Sequence, residues 1–226
     1  MAGITTALPS QFKVSVLQGG HCFNGSGTAT GTTANTSTHI TALSSLANVA
    51  IGCSVSGTNV PANSFVGAID SATSCYITQA CTGAGSPTLT FVGHNFNCAL
   101  MIATVTGTYG AGSVQWGSSS GSPTTTNLGT DELAGSGGYT QGGQACGGAL
   151  NTTPVLNTLV AVTQPTTNPS WTSATFSTSG CMIYNASNQT YCAYIGSFGG
   201  TQTVTAGTFT ILLPTVGSTT SLIRIA

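Results

Sequence analysis

The sequence predicts an all-β protein: a β-sandwich (jelly-roll or Ig-like) body with one short N-terminal helix and an inserted small β domain. Three observations lead there. Thr, Val, Ile and aromatic residues recur in runs of strand length. Gly, Pro, Asn and Ser break those runs every few residues. Helical spacing occurs once, near the start. The 226 residues include only five charged side chains, Lys13, Asp70, Asp131, Glu132 and Arg224, where a soluble domain carries roughly a quarter. The polar faces of the strands must therefore be Ser, Thr, Asn, Gln and Gly, while 40% apolar residues suffice for a core.

Taken in order, Ser10 caps a helix in which Phe12 and Val16 lie four apart, and Gly19-Gly20 ends it. Residues 24–38 are small and polar and read as a Ser/Thr/Gly linker. Residues 39–93 form a self-contained β domain of four or five strands, with runs at Leu46 to Ile51, Cys53 to Gly57, Val60 to Asp70, Cys75 to Ala80 and Leu89 to Val92. The body, residues 1–23 and 94–226, resumes at Asn97-Cys-Ala-Leu-Met-Ile-Ala-Thr-Val. Polar loops at 117–130 and 164–169 interrupt it, and Met182 to Ile195 reads as a hairpin turning about Asn185 to Gln189. Phe209 to Pro214 and Leu222 to Ala226 are the last strands.

Two basic residues cannot supply the phosphate neutralisation that nucleic-acid binding needs, nor the basic face of a membrane-surface protein. No apolar run approaches the roughly 20 residues of a membrane span. A formal net charge of −1 gives copies little mutual repulsion and suits assembly. The start lacks the basic and apolar blocks of a secretory signal, yet eight cysteines suit an oxidising setting. Synthesis in the cytoplasm followed by release to the exterior satisfies both.

The pieces Trp171-Thr-Ser-Ala-Thr-Phe, Cys181-Met-Ile-Tyr-Asn, Ile195-Gly-Ser-Phe-Gly-Gly and Gly207-Thr-Phe-Thr-Ile-Leu-Leu-Pro, with the ending Leu222-Ile-Arg-Ile-Ala, resemble a family of tailed-bacteriophage virion structural proteins. Glu132-Leu-Ala-Gly-Ser-Gly-Gly-Tyr-Thr-Gln-Gly-Gly and the stretch from Phe12-Lys to Leu17-Gln-Gly are similar to the same family. The segment between resembles a small β module of phage fibre and decoration proteins, through Gly52-Cys-Ser-Val-Ser-Gly-Thr-Asn-Val-Pro-Ala and Val66-Gly-Ala-Ile-Asp. The resemblance implies a capsid decoration or cement protein, not an enzyme. It would be made in the host cytoplasm and exposed after lysis. Its expected partners are the major capsid protein or neighbouring decoration or collar subunits, in a homo-oligomer, with a trimer favoured. A collar, neck or tail fibre component touching host glycans is the alternative, and an S-layer or fimbrial subunit ranks below both. Family members usually carry Lys, Leu, Ala or Arg where this chain has Cys98, Cys146, Cys181 and Cys192, and often Met in place of Cys53. That implies thiols added to a scaffold that folds without them, as extra staples or as links between subunits.

All eight cysteines are disulfide candidates: Cys22, Cys53, Cys75, Cys81, Cys98, Cys146, Cys181 and Cys192. Cys181 and Cys192 lie on opposite arms of the hairpin, Cys22 and Cys98 bracket the insertion, and Cys75 and Cys81 could clamp a turn. Eight cysteines allow 105 pairings, so the connectivity stays open. His21, Cys22, His94 and Cys98 contain the ligand types of a tetrahedral zinc site. Adjacent His21 and Cys22 diverge on an extended chain, however, and loop histidines beside disulfides are favoured. No cofactor is expected. Asp131 and Glu132 are adjacent and diverge on a strand, unlike a convergent catalytic pair, and there is no Gly-x-Ser-x-Gly elbow. Lys13 and Arg224 are candidates for ion pairs with Asp131 or Glu132. Tyr109, Trp116 and Tyr139 are candidates for interface anchors, although burial is the commoner fate of such rings.

Overall fold

A strand needs alternating or continuous apolar residues and a turn at each end, and this chain meets that condition repeatedly. The computed structural model describes residues 2–18, 20–22, 27–47, 49–148, 155–157, 160–163, 167–187, 190–214 and 222–225. In chain order these form β1 (Gly3–Ile4), helix α1 (Ser10–Leu17), β2 (Gly27–Thr30), β3 (His39–Ile40), β4 (Ser54–Ser56), β5 (Ser64–Ser71), β6 (Ser74–Ile77), β7 (Thr88–Val92), β8 (Asn95–Ile102), β9 (Thr108–Tyr109), β10 (Gln144–Gly148), β11 (Val155–Asn157), β12 (Val160–Thr163), β13 (Ser170–Asn185), β14 (Cys192–Thr210) and β15 (Ile223–Ile225). The protein is all-β with one short helix and several antiparallel sheets.

The chain divides into two units: residues 19–94 with 151–153, and residues 1–18, 95–150 and 154–226. In the 19–94 unit, six antiparallel strands run in the order β2-β7-β4-β5-β6-β3. Its two edges also meet, because Thr32 and Thr41 exchange both backbone hydrogen bonds, at 2.7 and 3.1 Å. The sheet thus closes on itself around Ile40, Leu43, Val55, Val66, Ile77, Leu89 and Phe91. Fully buried Leu89 and Phe91 contribute roughly 2–3 kcal/mol each.

The stretch expected to be a linker is part of this closure. Residues 23–26 lie outside the described residues, but Gly27–Thr30 is β2 and Ala29 and Thr33 are buried. Its small side chains are a packing requirement: a Cβ on Gly31 would come within 2.7 Å of Leu43 Cδ2. Residues 39–93 hold five strands, β3 to β7, within the four or five expected there, and β2 adds a sixth from the stretch expected to be a linker.

In the other unit, four antiparallel strands run in the order β10-β8-β13-β14. Ala99, Met101, Met182 and Ile195 share a core with Tyr109, Leu128, Ile4 and Trp116. The expected hairpin is the β13–β14 ribbon, longer than anticipated, with Cys181 opposite Gly196 and Tyr184 opposite Cys192. The helix also differs at its start. Pro9 is the N-cap and makes no side-chain cap, while Ser10 lies inside the helix with its N–H donating to the Ala111 carbonyl at 2.9 Å. Phe12 and Ser15 are its buried residues, and Val16 is half-buried.

Candidate functional site

Asp131 and Glu132 sit where a 3-10 turn (Gly129–Asp131) meets the bridge between Glu132 and Met101. Their side chains diverge as expected, but both are buried. Asp131 gathers the loop before β9: it accepts from Thr106 N–H at 2.9 Å, Thr106 Oγ1 at 2.9 Å, Gly107 N–H at 2.7 Å and the Tyr109 hydroxyl at 2.8 Å. Burial alone would raise its pKa, yet the donors from Gly107, Thr106 and Tyr109 hold it below the usual carboxylate value. Glu132 accepts from the Tyr139 hydroxyl and Gly142 N–H, each at 2.6 Å, and from Trp116 Nε1 at 3.2 Å. For Glu132 burial dominates those bonds and the pKa is raised.

Among the described residues none of the expected ion pairs reaches either carboxylate, and neutral donors serve them instead. Lys13 is exposed on α1, and the Arg224 side chain lies outside the described residues. Tyr109 and Tyr139 are likewise unavailable as interface anchors: both are buried as carboxylate donors, and Trp116 stacks on Tyr184 with centroids 5.1 Å apart. An Asp-Glu pair in so charge-poor a chain was the one available hint of this network.

Among the cysteines, Cys22 is bonded to Cys53, with a Cα separation of 5.0 Å. Cys75, Cys81, Cys98, Cys146, Cys181 and Cys192 are thiols, and all are buried. Cys22 does not pair with Cys98, which lies in the other unit beside Cys146 and Cys181. Cys181 and Cys192 miss each other because the ladder sets them against Gly196 and Tyr184. Cys75 and Cys81 are neighbours inside the closed sheet, where burial and then Cys81 push the Cys75 thiol up to about 11. With every cysteine buried, none is placed to link one chain to another.

The two histidines flanking the insertion come together with the disulfide, their rings 6.4 Å apart. His94 Nδ1 accepts from Cys22 N–H at 3.3 Å, which sets the ring against one end of the disulfide. Burial, reinforced by His94, takes His21 down to about 3, and burial also lowers His94. The zinc set considered from sequence is not assembled, since Cys22 is oxidised and Cys98 belongs to the other unit. Among the described residues no group of three or more His, Cys, Asp or Glu is arranged to hold a metal.

A polar cluster lies on the β3–β6–β5 surface. His39 Nε2 is 3.3 Å from Asp70 Oδ2, and Ser74 Oγ donates to the same oxygen at 3.1 Å. The serine thus contacts the acid, not the base, which is the wrong order for nucleophile activation. The His39 ring stacks on half-exposed Tyr76 at 4.3 Å with planes 10° apart. Sequence reading missed this pair because 37 residues separate its members and only the β3–β6 register joins them.

The β13–β14 ribbon contains no charged residue. β8 pairs with β13 only from Thr178 to Asn185, and the ribbon runs on as two strands to Ser170 and Thr210. Trp171, Phe176 and Phe209 pack with Tyr139 on one side. Ser170–Thr210 and Ser177–Thr203 hydroxyl pairs, each at 2.8 Å, zip the other. Ala7 bridges β14 at Ile195, but among the described residues no strand covers its outer edge from Gly199 to Thr210. That stretch contains no charge and no proline. Such an edge offers unpaired N–H and C=O groups to another chain. No family model, no curated protein and no solved structure matches this chain.

Proposed function

We propose that this chain is a structural subunit of a tailed-bacteriophage virion, a capsid decoration or cement protein that stabilises the particle through neutral β interfaces. The observation that supports it best is the open β14 edge from Gly199 to Thr210, exposed over Gly199 to Thr203 and without a charged residue. Proteins that must remain single usually interrupt such an edge with Lys, Pro, an inward charge or a bulge; this edge has no charge and no Pro, and between its bulges Gln202 to Val204 stays in regular register. Here a neighbouring subunit or the major capsid protein adds a strand, most readily within a cyclic homo-oligomer such as a trimer. The role is mechanical, and the buried carboxylates serve the fold. Disulfide reinforcement acts within each subunit, as Cys22–Cys53 already does. Co-sedimentation with particles of the encoding phage tests this: the purified chain should pellet, and Thr201→Lys with Thr205→Lys on the edge should stay in the supernatant. A wild-type chain that does not pellet would overturn the proposal.

One observation favours a second reading, a collar, neck or tail fibre component that binds the host surface. The stacked His39–Tyr76 rings, with Asp70 alongside, present an aromatic face and a hydrogen-bonding acid suited to a neutral sugar. Binding to host glycans that Tyr76→Ala abolishes would support it.

A further inference from the structure

Cys98 lies in the middle of β8, with Gln144 opposite it on β10 and Ile183 opposite it on β13. Cys146 stands two positions beyond Gln144, and Cys181 two positions before Ile183. Strand alternation therefore sends Cys98 and Cys181 to one face of the sheet, and Cys146, at the register shift between Ala145 and Gly148, lies close enough to act on the Cys98 thiol. Solvent reaches none of them appreciably, with exposures of 0%, 0% and 3% for Cys98, Cys146 and Cys181. The neighbouring Cys146 and Cys181, together with burial, push the Cys98 thiol well up. Cys181 has the backbone of Gly196 across the ladder, where an added Cβ would come within 3.0 Å of its sulfur. Glycine there keeps the space beside the Cys181 sulfur free.

We propose that Cys98 is the hub of a second intrachain disulfide, formed with Cys146 or Cys181 when the folded chain meets a small-molecule disulfide. Oxidised glutathione represents that class of oxidant. One protein thiolate attacks it, giving a mixed disulfide and releasing one glutathione thiol. The second protein thiolate then displaces the remaining glutathione. The two cysteines lose two protons and two electrons, and the oxidant is reduced to two thiols. Burial keeps the thiols protonated and out of reach, so exchange requires local opening. β10 supplies it: five residues long and at the sheet edge, it can detach and bare Cys146 and Cys98 while β8 stays paired with β13.

The full chain, incubated with oxidised glutathione in mild urea, is quenched in acid, alkylated under denaturing conditions and mapped with pepsin. Trypsin would cut only at Lys13 and Arg224. The expected map joins Cys98 to Cys146 or to Cys181. Cys98 recovered fully alkylated, or joined to any other cysteine, would overturn the proposal. In Cys98→Ser, Cys146 and Cys181 should both remain thiols, and a direct link between them would remove the hub role. Should that variant not fold, the wild-type map decides alone.

Discussion

Replacing Asp131 with Asn keeps the shape of the side chain and removes its charge, which isolates the network that organises the loop before β9. Four donors converge on this carboxylate, at 2.7 to 2.9 Å. An amide oxygen can accept two of them, and the Tyr109 and Thr106 hydroxyls can turn away. The Gly107 N–H has no such freedom and would face the new NH2 group. Two charge-assisted bonds are lost, at about 1.5–3 kcal/mol each, and water at half-exposed Gly107 recovers part of that. The net cost is about 2–4 kcal/mol. Glu132→Gln should cost less than about 1 kcal/mol, because burial already disfavours the Glu132 charge. Both tryptophans, Trp116 and Trp171, lie in this unit, so urea unfolding followed by tryptophan fluorescence at pH 7 reads it selectively. The pH dependence carries opposite signs. Asp131 is held below 3.8, so its contribution is complete above that pH and fades as pH falls through the folded value. Glu132 is held above 4.5, so its ionisation lowers stability as pH rises through the folded value. An Asp131→Asn midpoint within about 0.5 kcal/mol of wild type, or a larger loss from Glu132→Gln, would refute the reasoning.

The 19–94 unit should loosen in mild acid. His21 is held near 3 against 6.5 when unfolded, so its contribution is complete above pH 6.5 and declines below it, by about 2–3 kcal/mol at pH 4.5. Amide exchange in this unit at pH 7 and 4.5 measures that, and titration of His21 itself near 6.5 in the folded protein would contradict it. Cys53→Ser removes a bridge spanning 31 residues, worth about 3.5–4 kcal/mol by loop entropy. Exchange should quicken in the 19–94 unit while the tryptophan-monitored transition stays put. Electrophoresis of virions should show monomer bands with and without reductant, since no cysteine is exposed; higher-mass bands that collapse on reduction would show that the chain opens to link with others.

Strand-forming runs were readable where side chains carried the signal: Leu89, Phe91, Cys75 and Ile77 are buried in strands close to those expected. Residues 27–38 were not, because composition alone reads Ala, Gly and Thr as flexible. What orders them is complementarity: Gly31 must be small to lie against Leu43, Ile40 and Leu89. The same limit hid the cysteine pattern. Cys181 and Cys192 look opposed if the turn is tight, but the longer connection and a shift between Ile183 and Tyr184 move each to a different partner. The buried carboxylates were visible as rare residues, but their neutral donors, Tyr109, Trp116 and Tyr139, are brought to them only by the fold.

The most direct measurement of the proposed role is the copy number of this chain in gradient-purified virions of the encoding phage, by quantitative mass spectrometry against the major capsid protein. A decoration subunit with an open neutral edge should be present in hundreds of copies per particle. A small multiple of three or six would move it to the neck or tail, and absence from the particle would contradict the virion role altogether.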